Sequence, residues 1–168
     1  FPGESGITEG GGGTYRSKNL VIRNNYCENI GNAAICPSDY EDALIEYNVS
    51  NKCNSGPNGN VPIWWEYGQK TICQYNEVFG SAADNKEDSQ AFDADVCADL
   101  NYVQYNYTHD NPSGSFFECS LGTGFETYYR YNISVNDGYG TNLYGGGAVV
   151  TLQNPTGGKL DAYNNLIY

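Results

Sequence analysis

Short runs of alternating hydrophobic and polar residues follow one another along this chain. In the stretch ALIEYNVSNKC (43–53), for example, apolar and polar side chains alternate up to an Asn-rich end. A period of two is typical of strands with one buried face. Gly, Asn, Asp and Ser separate the runs, as expected where short strands are joined by turns. The pattern therefore predicts an all-β protein.

One of these runs recurs six times, and each copy ends in asparagine. The copies are VIRNN (21–25), LIEYN (44–48), TICQYN (71–76), YVQYN (102–106), YYRYN (128–132) and LDAYN (160–164). Their final asparagines are separated by 23, 28, 30, 26 and 32 residues. Self-similarity at a spacing of about 20–50 residues predicts stacked structural units.

The aligned copies indicate which positions face the interior. Three residues before each asparagine stand Ile22, Ile45, Cys73, Val103, Tyr129 and Asp161. All but Asp161 are compatible with a core. The residues one position later are mostly polar, so we expect that column to face solvent.

The repeated apolar-x-x-Asn pattern resembles the right-handed parallel β-helix family, the pectate-lyase-like superfold, over residues 19–168. The resemblance implies a right-handed parallel β-helix of about six coils. Residues 1–18, which include TEGGGGTY (8–15), are then a flexible Gly-rich lead-in or a first partial coil. The resemblance also implies an asparagine ladder, in which each amide bonds to its neighbours one coil away, at about 4.8 Å.

The ladder bears on three N-glycosylation sequons, which begin at Asn48, Asn106 and Asn132. An asparagine whose amide is bonded within a ladder is not accessible to a glycosyltransferase, so we favour the ladder over glycosylation.

The residue before the asparagine is tyrosine in five copies: Tyr47, Tyr75, Tyr105, Tyr131 and Tyr163. These rings are interpreted either as a stabilising aromatic stack or as a platform for sugars.

A second strand in each coil carries the candidate chemistry. We align these strands on Ile35, Trp65, Phe92, Phe117 and Val150 as inward residues. The next position then faces outward, which predicts an exposed stack of Glu66, Asp93 and Glu118 on three successive coils. Asp95 joins the same face.

Acidic groups beside aromatic rings are what glycan cleavage requires, with one acid and one base or nucleophile. We therefore predict Glu66, Asp93, Asp95 and Glu118 as catalytic candidates. His109, the only histidine, is a further acid/base candidate if its loop reaches the acidic face. The predicted sugar contacts are Trp64, Trp65, Tyr67 and Phe116. Two alternatives stay open for Glu66, Asp93 and Glu118: a calcium site between coils, or a solvated acidic stripe.

Charge and cysteine content narrow the setting. The net charge of −12 argues against nucleic acid and anionic membranes as partners, and no apolar run is long enough to cross a membrane. The chain begins at Phe1 and is interpreted as a mature or excised segment. Six cysteines favour an extracellular location, with Cys27–Cys53 and Cys97–Cys119 as the expected disulfides.

The resulting hypothesis is an extracellular protein that binds and cleaves a polysaccharide. If it is an enzyme, a glycoside hydrolase is favoured over a lyase, because all eight Lys and Arg residues lie outside the acidic strands. No cofactor is required, although calcium fits the alternative above. The second hypothesis is a non-catalytic β-helix module that associates head to tail into a fibre or forms part of a longer surface chain.

Overall fold

The computed structural model describes residues 6–9, 16–56, 60–81, 88–119, 124–140, 148–153 and 157–168. In this part of the chain, 18 strands form three parallel sheets of six strands each, and no residue is helical. The predicted all-β class and the right-handed parallel β-helix of six coils are confirmed. No helix among these residues has the length and apolar character needed to cross a membrane.

Each coil contributes one strand to each sheet. The first sheet contains β1 (Ile7–Glu9), β4 (Ile35–Pro37), β7 (Ile63–Trp65), β10 (Phe92–Ala94), β13 (Phe116–Cys119) and β16 (Val150–Gln153). The second contains β2 (Ser17–Arg23), β5 (Tyr40–Glu46), β8 (Gln69–Gln74), β11 (Asp99–Gln104), β14 (Glu126–Arg130) and β17 (Lys159–Tyr163). The third contains β3 (Tyr26–Glu28), β6 (Val49–Asn51), β9 (Glu77–Phe79), β12 (Tyr107–His109), β15 (Ile133–Val135) and β18 (Leu166–Ile167).

The hydrophobic core lies between the three sheets. Tyr40, Ala43 and Ile45 of β5 and Val103 of β11 are buried in one hydrophobic cluster that runs through the coils. Ile22, Ile45, Cys73, Val103 and Tyr129 are all buried, as predicted from the repeat. Parallel pairing places them in register from coil to coil.

The asparagine ladder runs along the turn between the second and third sheets. The side-chain nitrogen of each asparagine donates to the side-chain oxygen of the next, at 2.9–3.2 Å, from Asn25 through Asn48, Asn76, Asn106 and Asn132 to Asn165. The same oxygens also accept backbone N–H groups, and the same nitrogens donate to backbone carbonyls, as Asn106 does to Cys73 O. Asn48, Asn106 and Asn132 are at most 2% exposed. Their amides are therefore committed to the ladder.

The last position of the predicted ladder is wrong by one residue. Asn164 has a φ of 55° and occupies the left-handed turn position, and Asn165 accepts the ladder bonds from Asn132. The shift also resolves the outlier at Asp161, because Ala162 is the residue that pairs with Tyr129. Asp161 instead lies 2.8 Å from Lys159 on the outer side of the second sheet.

The tyrosine column forms a stack in four coils. Tyr47, Tyr75, Tyr105 and Tyr131 have ring centroids 5.1, 5.4 and 5.1 Å apart with nearly parallel planes. Tyr163 is not a fifth member, since it pairs with Arg130 and meets Tyr131 edge-on. Because the inner ring faces cover one another, they are not available as a flat platform for sugars.

A second, shorter ladder follows the third sheet. Ser81 N donates to Asn111 Oδ1, and the backbone and side-chain nitrogens of Asn111 both donate to Asp137 Oδ1. The other carboxylate oxygen of Asp137 accepts the Thr108 and Ser134 hydroxyls, each at 2.6 Å. Polar groups at this turn are therefore also bonded between coils.

The predicted disulfides are not formed, and no disulfide joins any of the six cysteines. Cys27 and Cys53 are neighbours, as expected, with Cys53 Sγ 3.6 Å from Cys27 O. Cys97 is exposed, whereas Cys119 is buried. The even cysteine count was therefore a misleading signal for covalent crosslinks.

Candidate functional site

The outer side of the first sheet carries carboxyl groups from neighbouring coils. In β10, Phe92 and Ala94 point into the core, so Asp93 and Asp95 face away from it. Parallel pairing aligns Asp93 with Trp64 in β7 and with Phe117 in β13. We call this side the outer face of the first sheet, and its residues form two rows that run from coil to coil. The first row contains Cys36, Trp64, Asp93, Phe117 and Thr151. The second row contains Ser38, Glu66, Asp95, Cys119 and Gln153.

This register corrects the predicted stack of three carboxylates. Ile63 and Phe116, and not Trp65 and Phe117, are the inward partners of Phe92. Glu118 therefore points into the interior, where it is completely buried. The outward stack of Glu66, Asp93 and Glu118 is wrong, and so is a calcium site that would need all three on one face.

Two of the predicted sugar contacts are core residues. Trp65 is fully buried and donates its indole N–H to Asn101 Oδ1 at 2.9 Å. Phe116 is fully buried and stacks on Tyr129 with ring centroids 5.3 Å apart. Neither side chain reaches the outer face. Phe117 occupies the position predicted for Phe116.

Asp93 is the most unusual group on the outer face. It is only 4% exposed although it points away from the core. Its Oδ1 is buried and has no hydrogen-bond partner among the described residues. Burial raises the pKa of this carboxyl well above 3.8, and the nearby acids Asp95, Asp88 and Glu118 raise it further. Asp93 is therefore protonated more readily than an ordinary aspartate.

Asp95 is half-buried and better supplied with donors. The backbone N–H of Val96 donates to Asp95 Oδ1 at 2.7 Å, and the Cys119 thiol is a second partner. Burial raises the pKa of Asp95, while these two hydrogen bonds oppose the shift. Asp93 in β10 and Asp95 directly after β10 therefore differ in how strongly each carboxyl retains a proton.

Glu66 lies in the neighbouring coil, in the same row as Asp95. Burial raises the pKa of Glu66, a hydrogen bond with Ser38 opposes that shift, and the charges of Asp95 and Asp39 add to it. The outer face thus brings together three of the predicted catalytic residues, Glu66, Asp93 and Asp95, in two adjacent coils.

Two further polar atoms on this face lack partners among the described residues. The indole nitrogen of Trp64 and the hydroxyl of Thr151 are buried and unbonded, in the same row as Asp93. Buried polar atoms are bonded in the great majority of cases, so a row of exceptions indicates a site with unused hydrogen-bonding capacity. Trp64 is the predicted sugar contact that does lie on this face.

Glu118 belongs to a polar chain inside the helix. The Thr127 hydroxyl donates to Glu118 Oε2 at 2.7 Å and accepts from Asn101, which in turn accepts from Trp65. Glu118 Oε1 has no partner among the described residues. Burial raises the pKa of Glu118 to about 8, so this carboxyl is mainly neutral at pH 7.

His109 and Tyr67 lie apart from the central carboxyls. His109 is in β12 of the third sheet, where its ring stacks on Phe79 and its nitrogens lie 2.9 Å from Asp110 Oδ2 and 3.4 Å from Glu77 Oε1. It is not part of the outer face of the first sheet. Tyr67 directly follows Glu66, has a φ of 49° and is 40% exposed, so its contact with sugar stays a prediction.

No group of three or more His, Cys, Asp and Glu side chains suited to a metal ion occurs in the described ranges.

The sequence pattern did not predict two members of the site. Phe117 and Cys119 flank Glu118 on the outer side, and a strand phase set by Phe116 would have found both.

Comparisons with known proteins address the fold. No protein-family model matches this chain, and no curated protein matches it. Two solved structures of the GH136 lacto-N-biosidase from Eubacterium ramulus, the native protein and its selenomethionine derivative, are similar to it. For each, the TM-score is 0.60 and the identity 21%, over 92% of this chain and 29% of the other. The likeness shows a shared β-helical fold, and this chain spans less than a third of the enzyme's length.

Proposed function

We propose that this chain is a carbohydrate-active β-helix protein that binds and cleaves a glycan at the outer face of the first sheet. The observation that carries the proposal is the carboxyl of Asp93, which is buried, points outward and has one oxygen, Oδ1, without a partner among the described residues. A glycosidic oxygen would complete its hydrogen bonding. The similar fold of a lacto-N-biosidase supports a carbohydrate as the ligand class.

Asp93 is the proposed general acid. Burial raises its pKa and so favours the protonated carboxyl, and that proton passes to the leaving glycosidic oxygen as the bond from C1 breaks. Asp95 is the proposed partner: burial raises its pKa as well, but hydrogen bonds from Val96 and Cys119 oppose that shift and favour the charged form. It either takes a proton from the water that attacks C1 or bonds to C1 itself, and the anomeric configuration of the product distinguishes the two routes.

Glu66 and Trp64 complete the proposed site. Glu66 is the acid of the adjacent coil in the same row as Asp95, and the charge of Asp95 contributes to its raised pKa. Trp64 offers an indole N–H that no described residue accepts and an aromatic surface beside Asp93, a combination suited to a sugar hydroxyl and ring.

The test is release of reducing ends from a glycan panel that includes substrates of lacto-N-biosidase. Asp93→Asn and Asp95→Asn should each lower turnover by about 10²–10⁴-fold, because each removes one proton-transfer role without changing shape. Asp161→Asn is the matched control, since Asp161 is an ion-paired aspartate on the second sheet. Full activity of Asp93→Asn, or no binding and no turnover across the panel, would reject the proposal.

A further inference from the structure

A separate surface runs along the turn between the second and third sheets. It consists of Tyr47, Tyr75, Tyr105 and Tyr131, which we call the tyrosine ridge. The rings are 41–52% exposed although they stack on one another. Because the faces are covered by the neighbouring rings, the ridge presents ring edges and phenolic hydroxyls to solvent. None of the four hydroxyls is hydrogen-bonded to another described residue.

The backbone of the ridge is an unusual place for tyrosine. All four residues have a φ of 54–57°, in the left-handed region that Gly and Asn adopt most easily. In the first and last coils the same turn position holds Asn24 and Asn164, with φ of 58° and 55°. Four central coils thus carry a bulky residue where a small one fits with less strain.

The flank of the ridge is polar and uncharged at its centre. Gln74 and Gln104 are hydrogen-bonded to each other at 3.0 Å on the adjoining edge of the second sheet. The charged residues of this row flank the two glutamines, where Glu46 accepts from Gln74 and Arg130 donates to Gln104. In a chain of net charge −12, the uncharged centre of this row is complementary to an uncharged ligand.

We propose that the tyrosine ridge binds a neutral, extended β-(1→4)-linked polysaccharide lying parallel to the helix axis. The ring spacing of 5.1–5.4 Å is similar to the length of one sugar unit in such a chain, so each coil would meet one unit. The phenolic hydroxyls and the Gln74 and Gln104 amides supply one set of hydrogen-bonding groups per coil. This surface is distinct from the outer face of the first sheet and goes beyond the proposed function.

The experiment measures binding of the whole chain to insoluble cellulose, chitin and mannan, with starch and polygalacturonate as comparisons. Three variants accompany the wild type. Tyr75→Asn with Tyr105→Asn introduces the residue type that holds the same turn at 24 and 164. Tyr75→Phe with Tyr105→Phe removes only the hydroxyls and keeps the stack. Tyr139→Asn is the matched control, because Tyr139 is 61% exposed and outside the ridge.

The wild type and the Tyr139 variant should bind at least one neutral β-(1→4) polysaccharide and not polygalacturonate. Both double variants should bind at least about tenfold more weakly. Equal binding by the Phe variant, preference for the polyanion, or no binding at all would overturn the proposal. The proposal would also be overturned if sedimentation showed that the wild type self-associates through the ridge and binds no polysaccharide. Binding is scored without turnover, so the result does not depend on activity at Asp93.

Discussion

The asparagine ladder and the outer face of the first sheet use polar residues in opposite ways. In the ladder, each internal amide bonds to the coil before it and the coil after it, and almost no surface is exposed. On the outer face, Asp93, Trp64 and Thr151 bury polar atoms that no described residue satisfies. The comparison separates polar groups that hold the helix together from polar groups that are left available to a ligand.

The largest expected effect comes from breaking the ladder in the middle. Asn106→Ala leaves at least the backbone N–H of Asn76 and the carbonyl of Cys73 without the Asn106 side chain. At 1–3 kcal/mol for each unsatisfied buried group, the free energy of unfolding should fall by about 4 kcal/mol. Denaturant unfolding measures this directly.

Asn25→Ala is the control from the same column. Asn25 stands at the end of the ladder, is only partly buried, and donates without accepting from another ladder asparagine. Asn25→Ala should therefore lower the free energy of unfolding clearly less than Asn106→Ala does. Equal costs at the two positions would mean that the ladder does not act as a connected network.

The next effect has the opposite sign and comes from the interior carboxyl. The folded-state pKa of Glu118 is raised from 4.5 to about 8, so folding is favoured below pH 4.5 and that contribution is lost as the pH rises through 8. Glu118→Gln removes this cost, and at pH 7 it should raise the free energy of unfolding by about 3 kcal/mol. Unfolding curves between pH 4 and pH 9 measure the difference.

The pH profile provides the sharper criterion for Glu118. The stabilising effect of Glu118→Gln should vanish near pH 4, where the wild-type carboxyl is protonated in both the folded and the unfolded chain. A variant that is less stable than the wild type at pH 8 would show that Glu118 is ionised and well paired in the folded protein.

The ladder and the outer face also differed in how far sequence could predict them. The ladder repeats one residue type at one turn, so five of its six positions followed from the spacing. The sixth was missed because Asn164 and Asn165 are adjacent, and only backbone conformation distinguishes the turn residue from the ladder residue.

The phase of the first sheet failed for a different reason. β7 and β13 contain the doublets Trp64-Trp65 and Phe116-Phe117, and two adjacent apolar residues do not indicate which one faces inward. The predicted phase is right in β7, where Trp65 faces inward and Glu66 outward. In β13 a slip of one residue exchanged the two faces and placed Glu118 outside. β10 has no doublet, and the orientation of Asp93 and Asp95 was predicted as it is found.

The smallest expected effect is at an exposed and fully paired carboxyl. Hydrogen bonds from His109 and Asn136 lower the pKa of Asp110, so its stabilising contribution is present above pH 3.8 and is lost as the pH falls through the folded-state value. Asp110→Asn should therefore cost less than about 1 kcal/mol at neutral pH, since exposed pairs contribute little. Thermal unfolding at pH 7 and pH 3 measures the change, and a cost that persists unchanged at pH 3 would contradict this account of Asp110.

The central claim is that burial raises the pKa of the outward carboxyl of Asp93, whose Oδ1 has no hydrogen-bond partner among the described residues. Titration of the side-chain carboxyl carbon of Asp93, followed by carbon-13 NMR and assigned with Asp93→Asn, tests this most directly. The structure predicts a midpoint well above 3.8 that falls when Asp95→Asn removes the neighbouring charge. A midpoint near 3.8 that is indifferent to Asp95 would contradict the account, because Asp93 would then be an ordinary solvated aspartate.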